Sequence, residues 1–100
     1  MAMMEISVIP LGTGKTSLSP YVAEMVKFLR RQSKVRCELN GMGSIVTGPA
    51  GRLFKLAAAL HQIPFSKGVK RVYTVIKLDD RRDKTQAPAD KVASVLRKLG

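Results

Sequence analysis

Val35-Arg36-Cys37-Glu38-Leu39-Asn40-Gly41-Met42-Gly43-Ser44-Ile45-Val46-Thr47 decides the fold of this chain. Val35 to Leu39 alternates strictly between apolar and polar residues, the pattern of a half-buried strand. Ser44-Ile45-Val46-Thr47 is a second β-favouring run. Asn40-Gly41 between them is the strongest short hairpin signal available, because both residues accept the positive φ of a tight turn between right-twisted strands. The middle of the chain is therefore a β-hairpin, and the flanks are read outward from it.

Upstream, Val22, Val26 and Leu29, flanked by Met25 and Phe28, recur at helical spacing through about Arg31. Ser19-Pro20 predicts the start of this helix, with a hydroxyl cap followed by proline at the first helical position. Before it, Gly12-Thr13-Gly14 breaks a strand over Glu5–Leu11, in which Ile6 and Val8 share one face and Ser7 and Ile9 the other. Downstream, Gly48-Pro49 opens a helix whose buried stripe is Leu53, Leu56, Ala57 and Leu60. Pro64 is expected to end or kink it, since proline lacks the backbone donor and crowds the preceding turn. Gly68 closes that segment, and Val69 to Leu78 reads as a long strand with Val72, Thr74, Ile76 and Leu78 on one face. After a polar loop, Pro88 starts a last helix with Val92, Val95, Leu96 and Leu99 at i, i+3, i+4 and i+7.

The order is β-α-β-β-α-β plus a C-terminal helix. The natural closure is a four-stranded antiparallel sheet in order 4-1-3-2 with the helices on one face, a ferredoxin-like α+β sandwich occupying residues 1–100 as one domain. One hundred residues suit a single modest core, and 45% hydrophobic with 25% charged residues is a globular composition. No apolar run approaches the roughly 20 residues of a membrane span. The N-terminus lacks the pattern of a signal peptide, and the lone Cys37, placed toward the core by alternation, fits a reducing compartment. A cytoplasmic location is the expectation.

The net charge is +11, with six basic and three acidic residues in positions 1–50 against twelve and four in positions 51–100. Such a field favours anionic partners, yet the basic residues are spread over helix faces instead of forming one run. The RNA-recognition module of this fold stacks bases on aromatic side chains of its open sheet face; here only Tyr73 qualifies, so nucleic acid is not an expected partner. Gly12-Thr13-Gly14-Lys15-Thr16-Ser17 resembles a phosphate loop but has Ile9 where the full pattern needs its first glycine. A looser role in holding an anion or polar ligand through Thr13 and Ser17 stays open. His61, beside an apolar stripe, reads as a flanking residue. Asp79-Asp80-Arg81-Arg82-Asp83 reads as a mutually paired, solvated loop, with a metal or a cationic ligand as the alternative use of its aspartates, which the adjacent arginines would neutralise. No catalytic set, metal site or cofactor is expected.

Alternation leaves one sheet face uncovered. It is expected to carry Ser7, Ile9 and Leu11, then Arg36, Glu38 and Asn40, then Ser44 and Val46, and finally Tyr73, Val75 and Lys77. That is too much apolar surface to leave in water without purpose, so the face should meet another subunit, a ligand or both.

Pro10-Leu11-Gly12-Thr13-Gly14 with Thr16-Ser17 and Tyr21-Val22-Ala23, Met42-Gly43-Ser44 with Gly48, and Arg71-Val72 through Ile76-Lys77-Leu78-Asp79-Asp80-Arg81-Arg82-Asp83 together resemble the signatures of the small thiamine-binding proteins. The chain departs from that family's pattern at Asn40-Gly41, where a proline more often precedes the methionine, and at Pro49–Arg52, where helix 2 usually starts with acidic residues. The resemblance implies a ferredoxin-like fold, assembly into homodimers or homotetramers through the sheets, and binding of thiamine or its hydroxymethylpyrimidine moiety without catalysis. A basic nucleic-acid-binding module and a ligand-free oligomerisation domain are the alternatives. An aminopyrimidine needs a few polar groups beside an apolar wall. Ser7, Thr13, Asn40 and Ser44 are the candidates for the polar edge, Ile9, Met42 and Tyr73 for the wall, and Arg82 and Asp83 for charged contacts. The pocket is expected on the open sheet face near the Gly12–Ser17 and Asn40–Ser44 loops.

Overall fold

A computed structural model describes all of residues 1–100. The elements are β1 (Ala2–Leu11), α1 (Ser19–Arg30), β2 (Arg36–Asn40), β3 (Gly43–Gly48), α2 (Ala50–Ser66), β4 (Arg71–Asp80) and α3 (Pro88–Leu99). The four strands form one antiparallel sheet in the order β2-β3-β1-β4. This is the expected α+β architecture. No helix is long and apolar enough to cross a membrane.

Met4, Ile6 and Val8 of β1, Val46 of β3, Met25 and Leu29 of α1, and Leu53, Leu56, Ala57 and Leu60 of α2 make the core between the sheet and the two helices. Cys37 packs at its margin, and burial pushes its thiol pKa up. His61 is half-buried: its Nδ1 shares a 2.7 Å hydrogen bond with Thr74 Oγ1, and its ring meets Phe65 edge-on.

Several local expectations change. Leu18, not Ser19, is the N-cap of α1 and makes no side-chain cap bond; the Ser19 hydroxyl instead lies 3.1 Å from that of Ser17. Pro64 does not break α2, which runs on to Ser66 with Pro64 buried. The stop comes from a Schellman ending, with Gly68 at φ 89° and the Gly68 and Val69 amides donating to Phe65 O and Pro64 O. That ending occupies Val69, so β4 begins at Arg71 and extends to Asp80.

Ser44 and Val46 are not on the open face. Opposite residues of β2 and β3 pair as Cys37↔Val46 and Leu39↔Ser44, and β1 pairs Met4↔Val46 and Ile6↔Ser44. Directly opposed residues share a face, so the residues that put Cys37 and Met4 toward the helices carry Ser44 and Val46 with them. Both are buried. Ile45, together with Met3, takes the open-face place that Val46 was expected to hold.

α3 is held at its start and free along its length. The Asp90 carboxylate accepts from the Ala87 amide at 2.8 Å, and Lys91 pairs with Asp79. None of its residues is buried, and Val92, Val95 and Leu96 are each 58% exposed. The expected apolar stripe exists and stays largely uncovered, with only Val92 bordering a cleft with Met3 and Ile45 of the sheet.

Candidate functional site

The sheet contains a notch. β3 pairs with β1 only as far as Ile6↔Ser44, whereas β1 continues to Leu11 against β4 alone. From Ser7 onward one edge of β1 is therefore unpaired, a position that also tolerates Pro10 with its missing amide hydrogen. The Gly41–Met42 turn is anchored beside this edge, with Ser7 Oγ donating to Met42 O at 2.7 Å. Gly43 has to be small: a Cβ there would lie 2.8 Å from Ser7 Oγ and 3.0 Å from Ile6 O.

Around the notch lies a cleft of about 670 Å³ that reaches both sides of the sheet. Leu18 at the N-cap of α1, Val22 and Met25 within it, and Ile6, Val8 and Leu39 supply apolar walls. Ser7, Asn40 and the buried Ser44 supply hydroxyl and amide groups, and Glu5 and Lys77 face each other at 3.7 Å at its margin. Ser7, Ile9, Asn40, Met42 and Ser44 thus converge on one cleft, as does Val75 from β4. Met42 is 90% exposed, an unusual position for a methionine with nothing to cover it.

The remaining candidates lie elsewhere. Tyr73 pairs with Ile9 across β1–β4 and stands exposed on the open face outside the cleft lining. Thr13 lines a second, smaller cleft that shares no residue with the first. Arg82 and Asp83 follow the end of β4 that pairs with Ala2, the opposite end of the sheet from Leu11. There Arg82 Nη2 meets Asp80 at 2.8 Å and Arg81 Nε meets Asp83 at 2.6 Å. Leu18, Val22 and Val75 were missed as lining residues: Val22 reads equally well as core, Leu18 lies ahead of the helical stripe, and Val75 reads as an open-face residue without a link to the loops.

The paired loop has a pH signature. The Arg82 guanidinium holds the Asp80 carboxyl below its usual range, and Arg81 does the same for Asp83. A depressed folded-state pKa adds stability above the unfolded value, about 3.9, and that contribution is lost as pH falls through the folded value. The double variant Arg81→Gln/Arg82→Gln is expected to be slightly less stable than wild type at pH 7 by urea unfolding. The gap should close in acid below about pH 4, and a gap that persisted there would assign the effect to something other than these pairs.

A family model described as thiamine-binding protein matches residues 4–96. A UPF0045 protein of Methanothermobacter thermautotrophicus is 43% identical over 100 residues, covering 99% of this chain and 100% of the relative. Another, encoded in the region 3′ of glkA in Staphylococcus xylosus, is 40% identical over 98 residues, covering 95% and 92%. Among solved structures, a hypothetical protein of Methanocaldococcus jannaschii superposes with TM-score 0.82 at 29% identity over 94% of each chain. A Thermotoga maritima protein carrying a provisional thiamine biosynthesis/salvage designation superposes with TM-score 0.76 over 94% of this chain and 97% of its own. At 14% identity that likeness speaks for the fold alone.

Proposed function

This chain belongs to the thiamine-binding protein family, and from that premise we propose that it binds thiamine, or the hydroxymethylpyrimidine from which thiamine is built, without transforming it. The observation that carries the reading is the cleft at the β1 notch. An aminopyrimidine ring has an apolar face and an edge of donors and acceptors, and it calls for an apolar wall with a few placed polar groups. Leu18, Val22, Met25 and Val8 are suited to the wall, and Ser7, Asn40 and Ser44 to the edge. Glu5 is the carboxylate nearest at hand for a thiazolium cation, and Lys77 offsets it. A neutral pyrimidine or its anionic phosphate therefore suits a protein of charge +11 at least as well as thiamine itself.

Carrier, buffer or sensor is the role such a binder fills, in the cytoplasm and as a homo-oligomer. The open cleft and the 90% exposed Met42 at its rim support closure by a second copy of the chain.

Thermal unfolding with thiamine, hydroxymethylpyrimidine and its phosphate tests the reading. A ligand present at 100 times its Kd should stabilise the protein by about 2.7 kcal/mol. By calorimetry, Asn40→Ala should weaken binding by about 1–3 kcal/mol if it leaves a buried polar edge unpaired. No stabilisation by any member of the panel would reject the proposal, and unchanged affinity in Asn40→Ala would move the site away from the notch.

A further inference from the structure

The second cleft has a different chemistry from the first. It encloses about 370 Å³ and is lined by Thr13, Lys15, Ser17, Pro20, Tyr21, Glu24 and Lys67. Two lysines and three hydroxyl-bearing residues thus line one space, with Pro20 and the aliphatic and aromatic carbons of the same side chains as the rest of its wall. The ion pairs of the protein occupy Lys27, Lys77, Arg81, Arg82 and Lys91, so Lys15 and Lys67 are unpaired. Glu24, the one carboxylate of the lining, has Lys27 as its partner at 4.0 Å on its own helix, which leaves the two lysines in excess.

The surroundings are ordered by the fold. The Thr13 hydroxyl accepts from the Lys15 amide at 3.3 Å and donates to the Lys15 carbonyl at 3.2 Å, so it shapes the loop and leaves donation to the lysines and Tyr21. The flanking Gly12 and Gly14 hold φ of 76° and 74°, a conformation costly for residues with a Cβ. The Tyr21 ring packs against the core, and Lys67 is the C-cap of α2. The lining residues therefore come from three separate parts of the chain: the β1–α1 loop, the first turns of α1 and the end of α2.

The geometry points to this cleft as a phosphoryl-binding site, separate from the apolar cleft. A phosphate group carries up to two negative charges and several acceptor oxygens at neutral pH, and it takes up lysine charge together with hydroxyl donors. The two clefts draw on neighbouring positions: Ser17, Tyr21 and Glu24 line the polar one, while Leu18, Val22 and Met25 line the apolar one. The phosphoryl group comes either from a free inorganic anion or from a phosphorylated form of a small molecule.

Calorimetry with inorganic pyrophosphate, at fixed ionic strength, is the first test. Wild type should bind it, and Lys15→Ala/Lys67→Ala should bind at least 10-fold more weakly. The control Lys55→Ala/Lys98→Ala removes the same charge from exposed positions on other surfaces and should bind within 2-fold of wild type. An equal loss in the control, or no binding by wild type, would overturn the site in favour of a diffuse basic field. Tyr21→Phe, which keeps the packed ring, should weaken binding several-fold.

Comparing thiamine with thiamine diphosphate separates the two sources. A preference for the diphosphate that disappears in Lys15→Ala/Lys67→Ala identifies an esterified phosphate, whereas equal affinities together with pyrophosphate binding identify a free anion. Either result supports the site. Because pyrophosphate has no pyrimidine, the site can stand even where every unphosphorylated ligand fails, and the converse holds for the apolar cleft.

Discussion

Leu53→Ala is expected to lower the free energy of unfolding by about 2–5 kcal/mol, measured by urea denaturation at fixed protein concentration. Leu53 is fully buried in the first turns of α2 and belongs to the cluster that includes Met4, Val46, Leu56 and Leu60. Truncation removes its transfer free energy and leaves a cavity that two packed layers fill only partly. A domain of this size has a total stability of roughly 5–15 kcal/mol, so the loss is a large share of it. Fixed concentration matters because any assembly adds stability by mass action. A loss below about 1 kcal/mol would show that the helix layer collapses onto the vacated space, contrary to the close packing described for α2.

Val75→Lys is expected to turn an oligomer into a monomer. Met3, Ile9, Ile45, Tyr73 and Val75 share the face of the sheet that α1 and α2 do not cover, and Val75 lies opposite Ser7 in mid-strand. Val92, Val95, Leu96 and Leu99 of α3 add a second uncovered apolar strip, with Leu99 76% exposed. Apolar surface on this scale is ordinarily a contact surface. An ammonium group placed in its middle would have to be desolvated without a partner when two faces meet, a cost of several kcal/mol. Light scattering at micromolar concentration reads the outcome directly: wild type as a dimer or tetramer and the variant as a monomer. A monomeric wild type would reject the assembly. Because Val75 also lines the apolar cleft, Leu96→Asp on α3 gives an independent probe outside that cleft, and it should shift the assembly in the same direction.

Local regularities in the chain were enough for much of this protein. Alternation in β2, the hairpin signal and helical spacing at Leu53, Leu56, Ala57 and Leu60 determined the element order and the core faces of β2 and α2, because side-chain direction follows backbone period. The turn itself falls one residue later than Asn40-Gly41, at Gly41–Met42, with Asn40 paired to Gly43 and neither Asn40 nor Gly41 at positive φ. The mutual pairing of the Asp79–Asp83 stretch was legible as well, since residues two apart at a strand end can meet without help from the rest of the fold, as Asp80 with Arg82 and Asp83 with Arg81 do. The family signatures likewise lie in short contiguous stretches.

What lay beyond reach depends on where strands stop relative to one another. The face of Ser44 and Val46 follows from pairings with Cys37, Leu39, Met4 and Ile6, and a hairpin shifts every side chain together when its parity is misjudged. The notch exists because β3 ends opposite Ile6 while β1 runs on to Leu11, a difference in strand length that no single segment records. Tyr73, two pairs from Val75 in the β1–β4 register, falls outside the cleft lining, and Thr13 lines the other cleft. Periodicity is local and belongs to the sequence. Register, the free edge of β1 and the largely uncovered stripe of α3 are products of long-range pairing, and only the tertiary structure decided them.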